Sequence, residues 1–177
     1  MPPVRSRLPT VKSANGPVPK PSAIGRGLVL SLHAVLPAIW VFQAGDAALG
    51  ASDIDLLGHI WTIWHATRES LTQTHLVGFP SGIDLLPILG GWADIFLASI
   101  LVPFVGLIPA FNIVTALYLT VTGIGIHVLC RCFGAGTAGA FLAGTLFQLE
   151  PFVLHNLVGG RTEQLGIGFV INHARER

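Results

Sequence analysis

Between Ser52 and Leu71 the chain gathers Asp53, Asp55, His59, His65, Arg68 and Glu69 around Trp61 and Trp64. A carboxylate in such a set could take a proton from an attacking hydroxyl, or hold a divalent ion against a diphosphate leaving group. Asp53 and Asp55 are therefore the leading catalytic candidates. Their competing role is local, because an acid at a helix start accepts from the unpaired amides of the first turn and opposes the helix dipole favourably. His59 follows Asp55 by one helical turn, within reach of an Asp–His hydrogen bond or a shared metal, and the alternative is a histidine that merely sits at an interface. Arg68 could clamp a phosphate bidentately, or pair with anionic lipid or a nearby carboxylate. Trp61 and Trp64 suit anchoring at a membrane boundary better than stacking on a sugar.

Outside this stretch, Arg161 and Glu163 follow a Gly-Gly turn. They could bind a substrate headgroup or be ordinary loop charges. Glu150 and Asp94 interrupt apolar runs, where a charge is costly and usually has a function or a partner, although either could lie near a membrane end. No glycine-rich phosphate loop, nucleophile elbow or zinc-protease helix is present. Cys130 and Cys132 read as packing residues, since a zinc site wants more ligands at other spacings. No metal ligand set is identified, and a divalent cation is the candidate cofactor.

The elements that must hold these groups are apolar. Of 177 residues 51% are hydrophobic and 11% charged, against about 25% charged in typical soluble domains. With a mean hydropathy of +0.68, lipid is the natural solvent. The net charge of +1, with cations concentrated in one terminal arm, argues against a nucleic-acid partner. The expected fold class is all-α, a polytopic transmembrane helix bundle with an amphipathic helix in the first extracytoplasmic loop.

Residues 1–26 carry Arg5, Arg7, Lys12, Lys20 and Arg26, no acid and many prolines, a composition expected to be disordered. Spans are expected at about 27–45, 89–108, 112–130 and 138–157, with an extracytoplasmic loop at 46–88 and a fifth apolar segment from 164 that breaks off before it completes a crossing. The chain thus reads as the front part of a longer architecture or a truncated relative of one. Basic residues before the first span and acids after it put the N-terminus on the cytoplasmic side. A cleaved signal peptide is the rival, on the small residues around Ala44. Pro37 within the first span requires a neighbour to satisfy the carbonyl it frees.

The loop helix is expected to start with Ser52 or Asp53 as its cap, and Leu57, Trp61, Trp64, Arg68 and Leu71 form one stripe along it. Turns are expected at 78–82, at 109–112 and from Arg131. Four crossings put Arg131 outside and Arg161 inside. If 85–108 instead dips into the bilayer or lies on it, Arg131 returns to the cytoplasmic side, and Arg161 and Glu163 join Asp53 and Asp55 outside.

Asp55-Leu-Leu-Gly-His-Ile-Trp-Thr-Ile-Trp, Thr74-His-Leu-Val-Gly-Phe-Pro-Ser-Gly, Asn112, Arg131-Cys-Phe-Gly, Glu150-Pro151 and Gly160-Arg-Thr-Glu163 together resemble the N-terminal part of bacterial polytopic proteins of the GT-C glycosyltransferase superfamily, near its YfhO-like members. The resemblance covers about 27–170. It implies a catalytic acid near the start of the first extracytoplasmic loop, helices lying along the membrane, and a sugar donor on a polyprenyl phosphate. By position that acid is Asp53 or Asp55, with Asp55 the better match, and Arg68 and Glu163 are secondary binding candidates. The expected function is sugar transfer from the lipid-linked donor to an envelope acceptor at the bacterial inner membrane, with membrane lipid as a partner. The alternative is a non-catalytic membrane module, such as a transporter fragment or assembly partner, or an inactive truncated product.

Overall fold

The computed structural model describes residues 23–50, 54–69, 73–85 and 92–166. Helix α1 (Ala23–Ser31) passes through a 3-10 turn (Leu32–Ala34) into α2 (Val35–Ala44), so residues 23–26, expected in the arm, are already helical. There follow α3 (Ile54–Ala66), a two-residue hairpin of β1 (Gln73–Thr74) and β2 (Ile83–Asp84), α4 (Trp92–Val105), α5 (Leu107–Cys132), α6 (Thr137–Gln148), α7 (Pro151–Val158) and a 3-10 turn at Thr162–Gly166. The turn expected at 78–82 closes the hairpin through Gly82 N–H donating to the Gly78 carbonyl.

The described residues are mostly helical. Two helices are long and apolar enough to cross a membrane, Gly27–Ala44 and Leu107–Cys132, and the pair Thr137–Gln148 and Pro151–Val158, bent by 42°, makes a third if it acts as one span. The expected span at 89–108 corresponds to the 14-residue α4, about 21 Å long at 1.5 Å per residue and short of a hydrocarbon core of about 30 Å. The turn expected at 109–112 falls instead at Gly106, whose positive φ of 89° ends α4. Pro109 then occupies the first turn of α5, where its missing N–H costs nothing.

Helix α5 is the axis of the fold. It touches α2, α3, α4, α6 and the final 3-10 turn, and its Phe111, Val114, Tyr118 and Leu119 meet Leu56 and Ile63 of α3, Ile95 and Ala98 of α4, Val153 and Leu165 in one buried cluster. Asn112, fully buried, donates to the Ala47 carbonyl (2.9 Å) and accepts from Leu49 N–H (2.8 Å), so one side chain pins the chain leaving α2 to the start of α5. Asn112→Ala strands a buried donor and should cost about 2 kcal/mol. A fall in the unfolding midpoint in detergent checks it, and Asn112→Asp should fall too, because a carboxylate would face the Ala47 carbonyl.

The opposite part of α5 meets the Pro37 break. Pro37 cannot donate to the His33 carbonyl one turn earlier, and the chain tightens into the 3-10 turn there. Gln148 from α6 supplies the missing donor, its amide donating to the carbonyls of both His33 (3.0 Å) and Leu119 (2.9 Å). His33 Nε2 and His127 Nδ1 lie 3.2 Å apart and share a hydrogen bond beside it. Gly123 and Gly144 admit this node, since a Cβ on Gly144 would collide with the Gly123 carbonyl oxygen and the His33 ring. The polarity is inside out: His33, Thr122, His127 and Gln148 are buried, while Leu32, Val35, Ile39 and Phe42 form an exposed stripe at helical spacing.

Glu150, expected inside a span, lies at the bend between α6 and α7. Its carboxylate caps α7 by accepting from Val153 N–H (3.3 Å), and Pro151 occupies the first helical position, where proline is favoured.

Candidate functional site

Three separate segments meet where α3 begins. Asp55 is in the first turn of α3, and its Oδ2 lies 2.6 Å from Nε of Arg161, which follows α7. One turn along α3, His59 donates from Nδ1 to the Asp55 backbone carbonyl at 3.1 Å, which leaves its Nε2 turned toward Oδ2 of Asp94 at 3.7 Å, an ion pair when the imidazole is protonated. Asp94, in the first turn of α4, is buried, and it accepts a hydrogen bond from the hydroxyl of Thr162.

Glycine decides this meeting. Gly160 has φ of +71°, a conformation that L side chains rarely adopt, and a Cβ there would lie 2.7 Å from Cα of Leu56. The backbone after α7 can therefore press directly against α3, one residue from Asp55. Gly50 makes a similar approach, where an added Cβ would lie 3.0 Å from the Leu157 and Val158 carbonyl oxygens. Arg161 N–H donates to the Asn156 carbonyl (2.9 Å), fixing the backbone from which the guanidinium extends.

These contacts also orient α4. Its first turn meets Thr162 and His59, and its far end passes through Gly106 into the part of α5 that Asn112 ties to 47–49, next to Gly50 and the end of α7. The segment expected to cross at 89–108 holds this short apolar helix.

The sequence candidates divide accordingly. Asp55, His59 and Arg161 come together. Asp53 and the side chain of Glu163 lie outside the described residues. Arg68 does not join them: it follows the far end of α3, about 20 Å from Asp55 at 1.5 Å per residue, with its guanidinium 5.1 Å from the centre of the Trp64 ring. The predicted stripe is only part-buried. Leu57 is exposed, whereas Leu56, Thr62, Ile63 and His65 face inward and His65 stacks on Trp61. Asp94 and Thr162 are the additions. The signal for Asp94 is an acid inside an apolar run, and Thr162 has no signal of its own.

The site pairs a half-exposed carboxylate with a guanidinium, beside buried Asp94 and Thr162 and part-buried His59. It can accept a proton at Asp55 and attract an anion at Arg161. Among the described residues no group of three or more His, Cys, Asp or Glu side chains is placed to hold a metal ion. No family model, curated protein or solved structure matches this chain.

Proposed function

We propose that this chain is a polytopic membrane protein of the GT-C type that transfers a sugar from a polyprenyl-phosphate-linked donor to an envelope acceptor. The single observation that carries this reading is the meeting of Asp55 with Arg161, 106 residues apart, beside the set of His59, Asp94 and Thr162. Asp55 accepts the proton of the acceptor hydroxyl as its oxygen attacks the anomeric carbon. The bond from that carbon to the phosphate oxygen breaks, and the phosphate leaves as an anion against Arg161. His59, Asp94 and Thr162 do not take part in the transfer. They hold α3, α4 and the segment after α7 in register, so that base and anion clamp face one space.

This reading puts the N-terminal arm and Arg131 on the cytoplasmic side and Asp55, Asp94 and Arg161 on the outer one, an arrangement in keeping with the cytoplasmic bias of Lys and Arg. The exposed stripe of Leu32, Val35, Ile39 and Phe42 then faces lipid. A bacterial inner membrane, where polyprenyl-linked sugars are presented outward, is the setting this arrangement suits.

Asp55→Asn should slow release of sugar from a polyprenyl-phosphate-linked donor by about 100-fold or more, with an unchanged amount of protein in the membrane. Equal rates would remove Asp55 from the chemistry. If Trp61→Ala and Trp64→Ala disturbed insertion while Asp55→Asn changed nothing, the chain would be a non-catalytic membrane module.

A further inference from the structure

The Asp55–Arg161 pair poses a difficulty for sugar transfer as proposed, and the competition inferred from it rests on that proposal. The Asp55 Oδ2 that accepts from Arg161 Nε–H at 2.6 Å is not open to an incoming hydroxyl, and that N–H is not open to a phosphate. At these atoms the two groups needed for transfer occupy each other. The pair is nonetheless easy to exchange: the Arg161 and Asp55 side chains are 40% and 43% exposed, and an ion pair with that much water contact is weak.

The surroundings decide which partner moves. Arg161 is held by its backbone through Asn156, Gly160 rests against Leu56, and Thr162 is bonded to buried Asp94. The root of the arginine is thus fixed on both sides, while its guanidinium is half-exposed to an arriving anion. A phosphate group offers it two oxygens in the planar, bidentate geometry that a guanidinium fits best, with at least as much charge as the carboxylate.

We propose that Asp55 and a phosphate-bearing ligand compete for Arg161, so that arrival of the phosphate releases the Asp55 carboxylate to act as base. The ion pair is the resting state of the site. It keeps the base occupied until the anion that must leave is in place, which couples donor binding to activation of the acceptor. The ligand chemistry is a phosphate monoester or diester, whether carried on a lipid or free in solution.

The experiment measures binding to the full chain in neutral detergent micelles, using farnesyl phosphate and inorganic phosphate as probes. Arg161→Gln should weaken binding at least tenfold. Asp55→Asn should tighten it by about fivefold, the gain from removing a competing exposed ion pair. In the double variant Asp55→Asn has nothing to relieve, so its affinity should match that of Arg161→Gln alone. In the wild type the Arg161 Nε–H resonance should shift as probe is added. Farnesyl phosphate binding well below the concentration at which inorganic phosphate binds identifies a lipid headgroup, and equal affinities identify the phosphate alone.

Binding that depends on Arg161 but is unchanged or weakened by Asp55→Asn overturns the competition and leaves the phosphate role of Arg161 standing. Tightening by Asp55→Asn that persists in the Arg161→Gln background reflects simple repulsion and also overturns it. Failure of the wild type and Asp55→Asn to bind either probe removes both the competition and the phosphate site on which it depends.

Discussion

Gly144→Val should be the most damaging single substitution in the fold, lowering stability by about 3 kcal/mol. The Cβ of any side chain at this position is aimed at the Gly123 carbonyl oxygen and the His33 ring. The first of these is backbone of another helix and cannot turn aside, so α6 must move away from α5. That displacement pulls Gln148 off the His33 carbonyl, which Pro37 leaves without its usual donor, and off Leu119 as well. One added side chain thus costs packing and a buried hydrogen-bond node together, in surroundings where water cannot replace the lost partners. Unfolding by increasing SDS in mixed micelles measures it. Gly139→Ala, on the same helix with nothing within 4 Å of its added Cβ, provides the control and should leave the midpoint in place. Equal midpoints for Gly144→Val and wild type would mean that α5 and α6 do not approach at this crossing.

The same crossing separates what the residues announce from what only packing reveals. That Pro37 needs a donor from elsewhere follows from its chemistry alone. That the donor is Gln148 does not, because it depends on two glycines 21 positions apart being opposed. Helix α3 presents a related difficulty. Leu56, Leu57, Ile60, Trp61, Ile63 and Trp64 give it an apolar arc of about 160°, wider than one stripe, so periodicity alone cannot choose which edge of the arc is buried. The stripe through Leu57 and Arg68 satisfies the spacing, but the core takes Leu56 and Ile63. Asp55, His59 and Arg161 are legible as candidates because each carries chemistry unusual for its surroundings. Their meeting is not, since it rests on the close approach of Gly160 to Leu56. The 89–108 run is hard to read for another reason. Its apolar content matches that of a span, and what sets α4 apart is its 14-residue length, ended by the Gly106 break, which hydropathy does not record.

The second large effect should come from Gly160→Ala. Two costs combine there: a positive φ that an L residue adopts at about 1–2 kcal/mol, and a Cβ placed 2.7 Å from Cα of Leu56. Relief requires Gly160 and Arg161 to withdraw from α3, which carries Arg161 away from Asp55 while α2, α4 and α6 stay packed on α5. The variant should therefore lose the site more completely than it loses the fold. Proximity can be read directly in a chain with Cys130→Ser and Cys132→Ser, by introducing Asp55→Cys and Arg161→Cys and joining them with a short thiol-specific cross-linker. Cross-linking should be efficient with Gly160 in place and should fall several-fold with Gly160→Ala. Adding Leu56→Ala should not restore it, because it removes Cδ1 but leaves Cα and Cβ of residue 56, both 2.7 Å from the added Cβ, and the strained φ remains. Full recovery with Leu56→Ala would show that only side-chain bulk keeps the two segments apart, and that backbone contact at Gly160 does not position Arg161.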